Sequence, residues 1–125
     1  MASYKDLRVY QLAKEIDEII FYLTQEFPKS ELYSLVDQLR RSSHSIVANI
    51  AEGFGRRFYL QEYIRFLIFA QASCDETREH VRASLSRKYC TEAEFKSIDD
   101  KLDHLGRMFT LLIRKMRITS KRANE

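Results

Sequence analysis

The chain has 125 residues, of which 45% are hydrophobic and 31% charged, with one proline, three glycines and a net charge of +3. This composition favours one compact soluble domain rather than two and argues against disorder except at the ends. The longest strictly apolar run, Phe66–Ala70, is far shorter than the about 20 residues that a bilayer span needs, so no membrane segment is predicted.

The first two predicted helices are joined through a proline. Apolar residues recur at steps of three and four over Val9–Phe27, which is typical of a helix with one buried stripe. Pro28 disfavours helical geometry at the residue before it and so ends this helix. Ser34 and Asp37 match a capping box that opens a second helix. Glycines that adopt left-handed geometry are predicted to end that helix and to leave Gly53–Phe58 as a short connection.

The second half of the chain contains two longer helical patterns. Apolar residues over Tyr63–Leu85 predict the third helix, which fades at Lys88 to Cys90. Thr91 with Glu94 forms a second capping box. The most regular segment follows, with apolar residues alternating at steps of three and four over Phe95–Met116.

Four amphipathic helices with short connections and no alternating strand pattern predict an all-α fold. The expected architecture is an antiparallel up-down-up-down four-helix bundle. We expect a single bundle domain over residues 1–118, followed by a polar tail over 119–125 that frays.

The second helix carries an unusual row of small and polar side chains beside its apolar stripe. Residues of this row are spaced by four, three, four and three, so they share one face of the helix. Either this row contacts another helix or subunit, with its Asn and Glu hydrogen-bonded, or it is an ordinary solvated face. The row consists of Gln38, Ser42, Ser45, Asn49 and Glu52.

No arrangement of residues predicts catalysis, a cofactor or a metal site. None of the three histidines stands three residues after a glutamate, as the di-iron sites of four-helix bundles require. Ser43 and Ser45 point to different faces of a helix from His44, so they form no dyad with it. Cys74 and Cys90 are too isolated to bind zinc. Without a catalytic arrangement in the sequence, we expect a non-enzymatic protein. Since no secretory leader or dense cysteine pattern is recognisable, we also expect it to be reduced and cytoplasmic.

Basic residues provide the remaining functional signal. Lys5–Asp37 carries a net charge of −3, whereas Arg107–Glu125 carries +5. Arginines near the aromatic residues Phe54, Phe58 and Tyr59 have the composition of a non-specific nucleic-acid surface, and the alternative is an ordinary solvated surface. The candidate nucleic-acid-binding residues are Arg40, Arg41, Arg56, Arg57, Arg114, Lys115 and Arg117.

One family resemblance covers nearly the whole chain. The segment "FPKSELYSLVDQLRRSSHSIVANIAEGFGR", with "DLRVYQLA", "EYIRFL" and "ASCDE", resembles the four-helix-bundle family encoded by intervening sequences of large-subunit ribosomal RNA genes. Ser34 and Ala72 stand where that family usually has Gly, and His44 replaces a small or apolar residue. The resemblance implies a homopentamer without established enzymatic activity. It also implies a relation to accessory proteins of retroelements, which bind nucleic acid and a reverse transcriptase.

These observations predict a homo-oligomeric protein that contacts RNA or DNA through a basic surface without strict sequence choice. The alternative is a protein-binding scaffold without nucleic-acid contact. A concentrated basic face favours the first hypothesis, and charges consumed in ion pairs favour the second. Large apolar residues that one small bundle would not bury also point to an oligomer, and they are Leu7, Tyr10, Tyr22, Tyr63, Phe69 and Phe109.

Overall fold

The computed structural model describes residues 3–123, which form four α-helices and no strand. Each helix packs against the next one in the chain, and the first also packs against the fourth. The connections are short, so consecutive helices are antiparallel, and the predicted four-helix bundle is confirmed. The helices are α1 (Arg8–Thr24), α2 (Leu35–Gly55), α3 (Leu60–Ser86) and α4 (Glu92–Ala123), with one-turn 3₁₀ helices at Tyr4–Asp6 and Lys29–Glu31.

The core lies along the bundle axis, where the predicted apolar stripes meet. The α1 stripe is buried from Val9 to Ile20, as its period of three and four requires. Each helix contributes fully buried side chains, so one continuous core holds all four together. Its largest members include Ile16, Ile20, Leu39, Ile46, Ile50, Leu67, Leu102, Leu105 and Phe109.

The structure corrects two predicted boundaries before α2. Helix α1 ends at Thr24 rather than Phe27, because turn hydrogen bonds follow and Phe27 folds back to pack against the ring of Tyr89. The predicted capping box of Ser34 and Asp37 is wrong, since the Ser34 side chain makes no capping hydrogen bond. Asp37 instead forms an ion pair with Arg41.

The predicted start of α4 is confirmed, and the helix extends into the predicted tail. Thr91 and Glu94 exchange the two hydrogen bonds of a capping box, at 2.9 and 3.1 Å. At the other end the helix continues past Ile118 to Ala123. The Gln61 amide of α3 donates a hydrogen bond of 2.6 Å to the Ser120 hydroxyl, which ties the last turns to the bundle. The remainder of the predicted tail lies outside the described residues.

Gly53 has a different role from the predicted helix terminator. It is buried inside α2 and has no left-handed backbone geometry. A Cβ atom at Gly53 would lie 2.9 Å from Cβ of Phe66 and 3.4 Å from the Tyr63 ring. The glycine therefore allows α2 and α3 to approach closely.

Candidate functional site

Hydrogen bonds between the helices show which residues lie at the same level of the bundle. Ser45 of α2 bonds to Ser73 of α3 at 3.0 Å, and the Cys74 thiol donates to the carbonyl of Leu102 in α4 at 3.4 Å. On the other side of α2, Ser43 donates to a carboxylate oxygen of Asp17 in α1 at 2.7 Å. These contacts mark the middle of the bundle.

The net charge differs between the two sides of the middle of the bundle. Residues 3–14, 47–73 and 105–123 lie on the side of the α2–α3 connection and hold twelve basic and three acidic residues, a net charge of +9. Residues 15–46 and 74–104 lie on the opposite side and hold nine basic and fourteen acidic residues, a net charge of −5. We call these two parts the basic half and the acidic half.

A groove between α3 and α4 runs through the basic half. Its cations are Arg114, Arg117 and Lys121, which are exposed and form no ion pair with any carboxylate of residues 3–123. Apolar side chains, Ile68 and Ile118 among them, line the same groove as these cations. An adjoining pocket continues the groove toward the α2–α3 connection, and it is lined by Gln61, Ile64, Arg65, Ile68, Phe69 and Arg117.

The predicted residues Arg56 and Arg57 lie in the basic half, but their surroundings differ. Arg56 is neutralised by ion pairs with Glu52 at 3.2 Å and Glu62 at 3.4 Å. The Arg57 guanidinium donates to the carbonyl of Phe54 and lies 4.1 Å from that ring's centroid and 4.7 Å from the Phe58 centroid. Arg57 therefore keeps a charge that no carboxylate of the described chain offsets.

Arg40 and Arg41 lie in the acidic half, so the structure does not bring them together with the other candidate residues. Arg56 follows Arg40 by sixteen positions along α2 and its C-terminal cap, which is about 24 Å at the rise of an α-helix. Arg40 donates to the Thr24 hydroxyl at 2.9 Å and to the Phe21 carbonyl at 3.3 Å, and it stacks on the Phe21 ring. Its contacts therefore join α2 to the last turn of α1.

The contacts of Arg40 predict a measurable effect on stability. Arg40→Ala should lower the free energy of unfolding by about 1–2 kcal/mol, because it removes charge-assisted hydrogen bonds and a cation–π contact between two helices. Arg41→Ala removes only an exposed ion pair with Asp37 and should change it by less than about 0.5 kcal/mol. Urea unfolding followed by circular dichroism measures both values, and equal losses would contradict the structural role of Arg40.

Lys115 and two cations outside the predicted set also lie in the basic half. Lys115 is exposed there but does not line the groove. Arg65 and Lys121, which sequence reasoning did not select, do line the groove or its continuation. Lys121 was detectable as part of the basic run of α4, whereas no sequence signal placed Arg65 beside Arg117.

The polar row of α2 makes most of its hydrogen bonds to other residues of the same chain. Ser42 is buried and accepts a hydrogen bond of 2.9 Å from Thr77 of α3. Asn49 is half-buried and donates to the carbonyl and hydroxyl of Ser45. The two ends of the row, Gln38 and Glu52, are exposed in the single chain. Cover for those ends by a second subunit stays a prediction.

The structure shows the partners of two reactive side chains, His44 and Cys74. Asp17 accepts from Ser43 and lies 3.2 Å from Nδ1 of His44, so the imidazole faces the carboxylate rather than a serine. Burial raises the pKa of the Cys74 thiol to about 12. No cluster of three or more His, Cys, Asp or Glu side chains suited to a metal occurs in this part of the chain. None of the described helices is both long enough and apolar enough to cross a membrane.

Comparisons with known proteins agree with this fold. Residues 5–111 match the family model of the 23S rRNA-intervening sequence proteins. A crystal structure of a protein of unknown function from the S23 ribosomal protein family of Bacteroides thetaiotaomicron superposes with a TM-score of 0.73. It shares 21% sequence identity, with 84% of this chain and 97% of that chain covered. No curated protein matches the chain. The family match spans most of the sequence, and the chain therefore belongs to the 23S rRNA-intervening sequence protein family.

Proposed function

We propose that the protein binds RNA or DNA through its basic half, without catalysis and without strict sequence choice. The observation that carries this proposal is the concentration of unpaired cations along the groove between α3 and α4. Phosphates would contact Arg114, Arg117 and Lys121, while riboses or bases would contact Ile68 and Ile118. Because phosphate contacts carry no sequence information, such binding is expected to be nearly uniform across sequences.

Charge reversal at the groove tests this proposal. Arg114→Glu combined with Arg117→Glu should weaken binding of 20-nucleotide RNA and DNA by about 10- to 100-fold at about 50 mM salt. The matched control is Lys29→Glu with Lys88→Glu, which makes the same change in net charge at two exposed lysines of the acidic half. The control should stay within about threefold of the wild type. Equal losses in the two variants would show an effect of net charge rather than of the groove.

Salt dependence provides a second readout of the same surface. Neutralising about five phosphates predicts a slope of log affinity against log salt of roughly −3.5 for single strands and −4.5 for duplex. The groove variant should have a slope that is shallower by about 1 to 2. Fluorescence anisotropy with labelled oligonucleotides measures both quantities. If the wild type retains neither RNA nor DNA at about 50 mM salt, the proposal fails.

A second groove favours the alternative function of a protein-binding scaffold. This groove lies between α1 and α4 in the acidic half, with apolar side chains such as Ile19, Leu23 and Ile98 on its floor. Glutamates surround it, so a basic partner segment fits its charge, and a reverse transcriptase is the kind of partner that the family resemblance implies. The surrounding glutamates are Glu15, Glu18, Glu26 and Glu94.

Self-association is a further part of the proposal, with five copies implied by the resemblance. Leu7, Tyr63 and Phe109 are buried within one chain and need no second copy. Tyr22 and Phe69 remain 62% and 41% exposed, which supports a contact between copies. Light scattering at micromolar concentration measures the mass, and a strictly monomeric value would contradict the oligomer.

A further inference from the structure

Two adjacent aromatic side chains are exposed at the end of the basic half. Phe58 and Tyr59 lie in the connection between α2 and α3 and are 83% and 74% exposed. Aromatic rings usually contribute buried area to a core or an interface, so two neighbouring exposed rings require an explanation. Hydrogen bonds from the Tyr59 amide to Arg56 and from the Tyr63 amide to Tyr59 hold the backbone on both sides. The connection is therefore a defined turn.

The cationic groups near these rings are suited to binding a polyanion. The Arg57 guanidinium lies between the rings of Phe54 and Phe58, so Phe58 is supported on one side while most of its surface faces solvent. Gln61, two residues after Tyr59, lines the end of the α3–α4 groove beside Arg117. Two residues span at most about 7 Å, so the backbone of Tyr59 lies within about 7 Å of the residue that lines the end of the groove.

We propose that Phe58 and Tyr59 form a stacking platform for unpaired bases, so that the protein prefers single-stranded nucleic acid over duplex. This inference rests on the proposed function. In a duplex the base faces are covered by their neighbours, whereas the bases of a single strand can turn outward and stack on aromatic rings. The phosphates of that strand lie along Arg114, Arg117 and Lys121, and one or two of its bases reach the connection.

Removal of both rings provides the main test. Phe58→Ala combined with Tyr59→Ala should weaken binding of an unstructured 20-nucleotide strand by at least about tenfold. Binding of the matching duplex should change by less than about threefold. The salt slope should stay unchanged because the phosphate contacts remain. Tyr33→Ala is the matched control, since Tyr33 is 92% exposed but lies in the acidic half, and it should bind both polymers as the wild type does.

A fluorescent variant tests the stacking contact directly. The chain has no tryptophan, so Phe58→Trp introduces a single indole at the platform. Addition of the single strand should quench its emission, and addition of the duplex at equal saturation should not. Equal quenching by the two polymers, or no quenching, would overturn the platform.

The outcomes separate this inference from the proposed function. Equal losses for strand and duplex, or no loss, in the ring variant would refute the platform, while a binding defect confined to the groove variant would still support the basic half. A smaller mass in light scattering for the ring variant would show that the rings are covered by a second copy, and this also refutes the platform. If the wild type binds neither polymer, both proposals fail.

Discussion

Iodoacetamide at pH 8 should modify Cys74 in the folded protein at least about 1000-fold more slowly than in the chain unfolded by urea. The thiolate is the reacting species, and burial raises the pKa of Cys74 from its ordinary value near 9 to about 12. At pH 8, a pKa that is higher by three units leaves about a thousandfold less thiolate. The side chain is also fully buried and donates to the Leu102 carbonyl, so the reagent reaches it only when the bundle opens.

Peptide mass spectrometry after timed labelling measures the rates of the two cysteines separately. Cys90 is the internal comparison, because it is also buried but lies in the connection between α3 and α4. We expect Cys90 to react faster than Cys74, since a local opening of the connection exposes it. Native and unfolded rates for Cys74 that agree within tenfold would contradict its place in the core.

The same pKa shift has a consequence for stability at high pH. The folded protein keeps the Cys74 proton at pH values where the unfolded chain has lost it. The stability contribution of this proton is therefore complete below about pH 9 and decreases as pH rises from 9 toward 12, where the folded thiol titrates.

Gly53→Ala should destabilise the protein by about 1–2 kcal/mol, although alanine has the higher helix propensity. The new Cβ would lie 2.9 Å from Cβ of Phe66, which belongs to the α3 framework and cannot rotate away. The helices must then move apart, and a contact this short places the cost in the upper part of the range of about 1–3 kcal/mol that is typical of overpacking. The gain in helix propensity of about 1 kcal/mol offsets only part of that cost.

Gly106 is the matched control for this prediction. It lies inside α4, and its Cβ would meet no atom within 4 Å. Gly106→Ala should therefore stabilise the protein by about 0.5–1 kcal/mol, which makes the difference between the two variants about 1.5–3 kcal/mol. Urea unfolding of both variants measures this difference. Two shifts of the same sign would show that α2 and α3 do not meet closely at Gly53.

The helical architecture of this protein was largely predictable from its sequence. Four apolar stripes with a period of three to four residues indicate which face of each helix is buried, because a helix folds stably only when that face leaves water. The capping box of Thr91 and Glu94 acts within one turn, so its signal is local and its prediction was correct. Ser34 with Asp37 has the same pattern, but other turn hydrogen bonds position Ser34.

The tertiary structure decided the roles of residues whose neighbours are distant in the sequence. Arg40 and Arg114 are alike as sequence signals, yet Arg40 joins α2 to α1 whereas Arg114 lines an open groove. Gly53 is equally ambiguous, because a glycine in a sequence pattern does not reveal whether it ends a helix or admits a neighbouring one.

The division into a basic and an acidic half also depends on the tertiary structure. The α2–α3 connection and the end of α4 are about 60 residues apart in the chain, and the hydrogen bond between Gln61 and Ser120 shows that they meet at one end of the bundle. Periodicity reports only the angle of a residue around its own helix. The antiparallel packing of the helices sets the level of each residue along the common axis, and that level determines which charges act together.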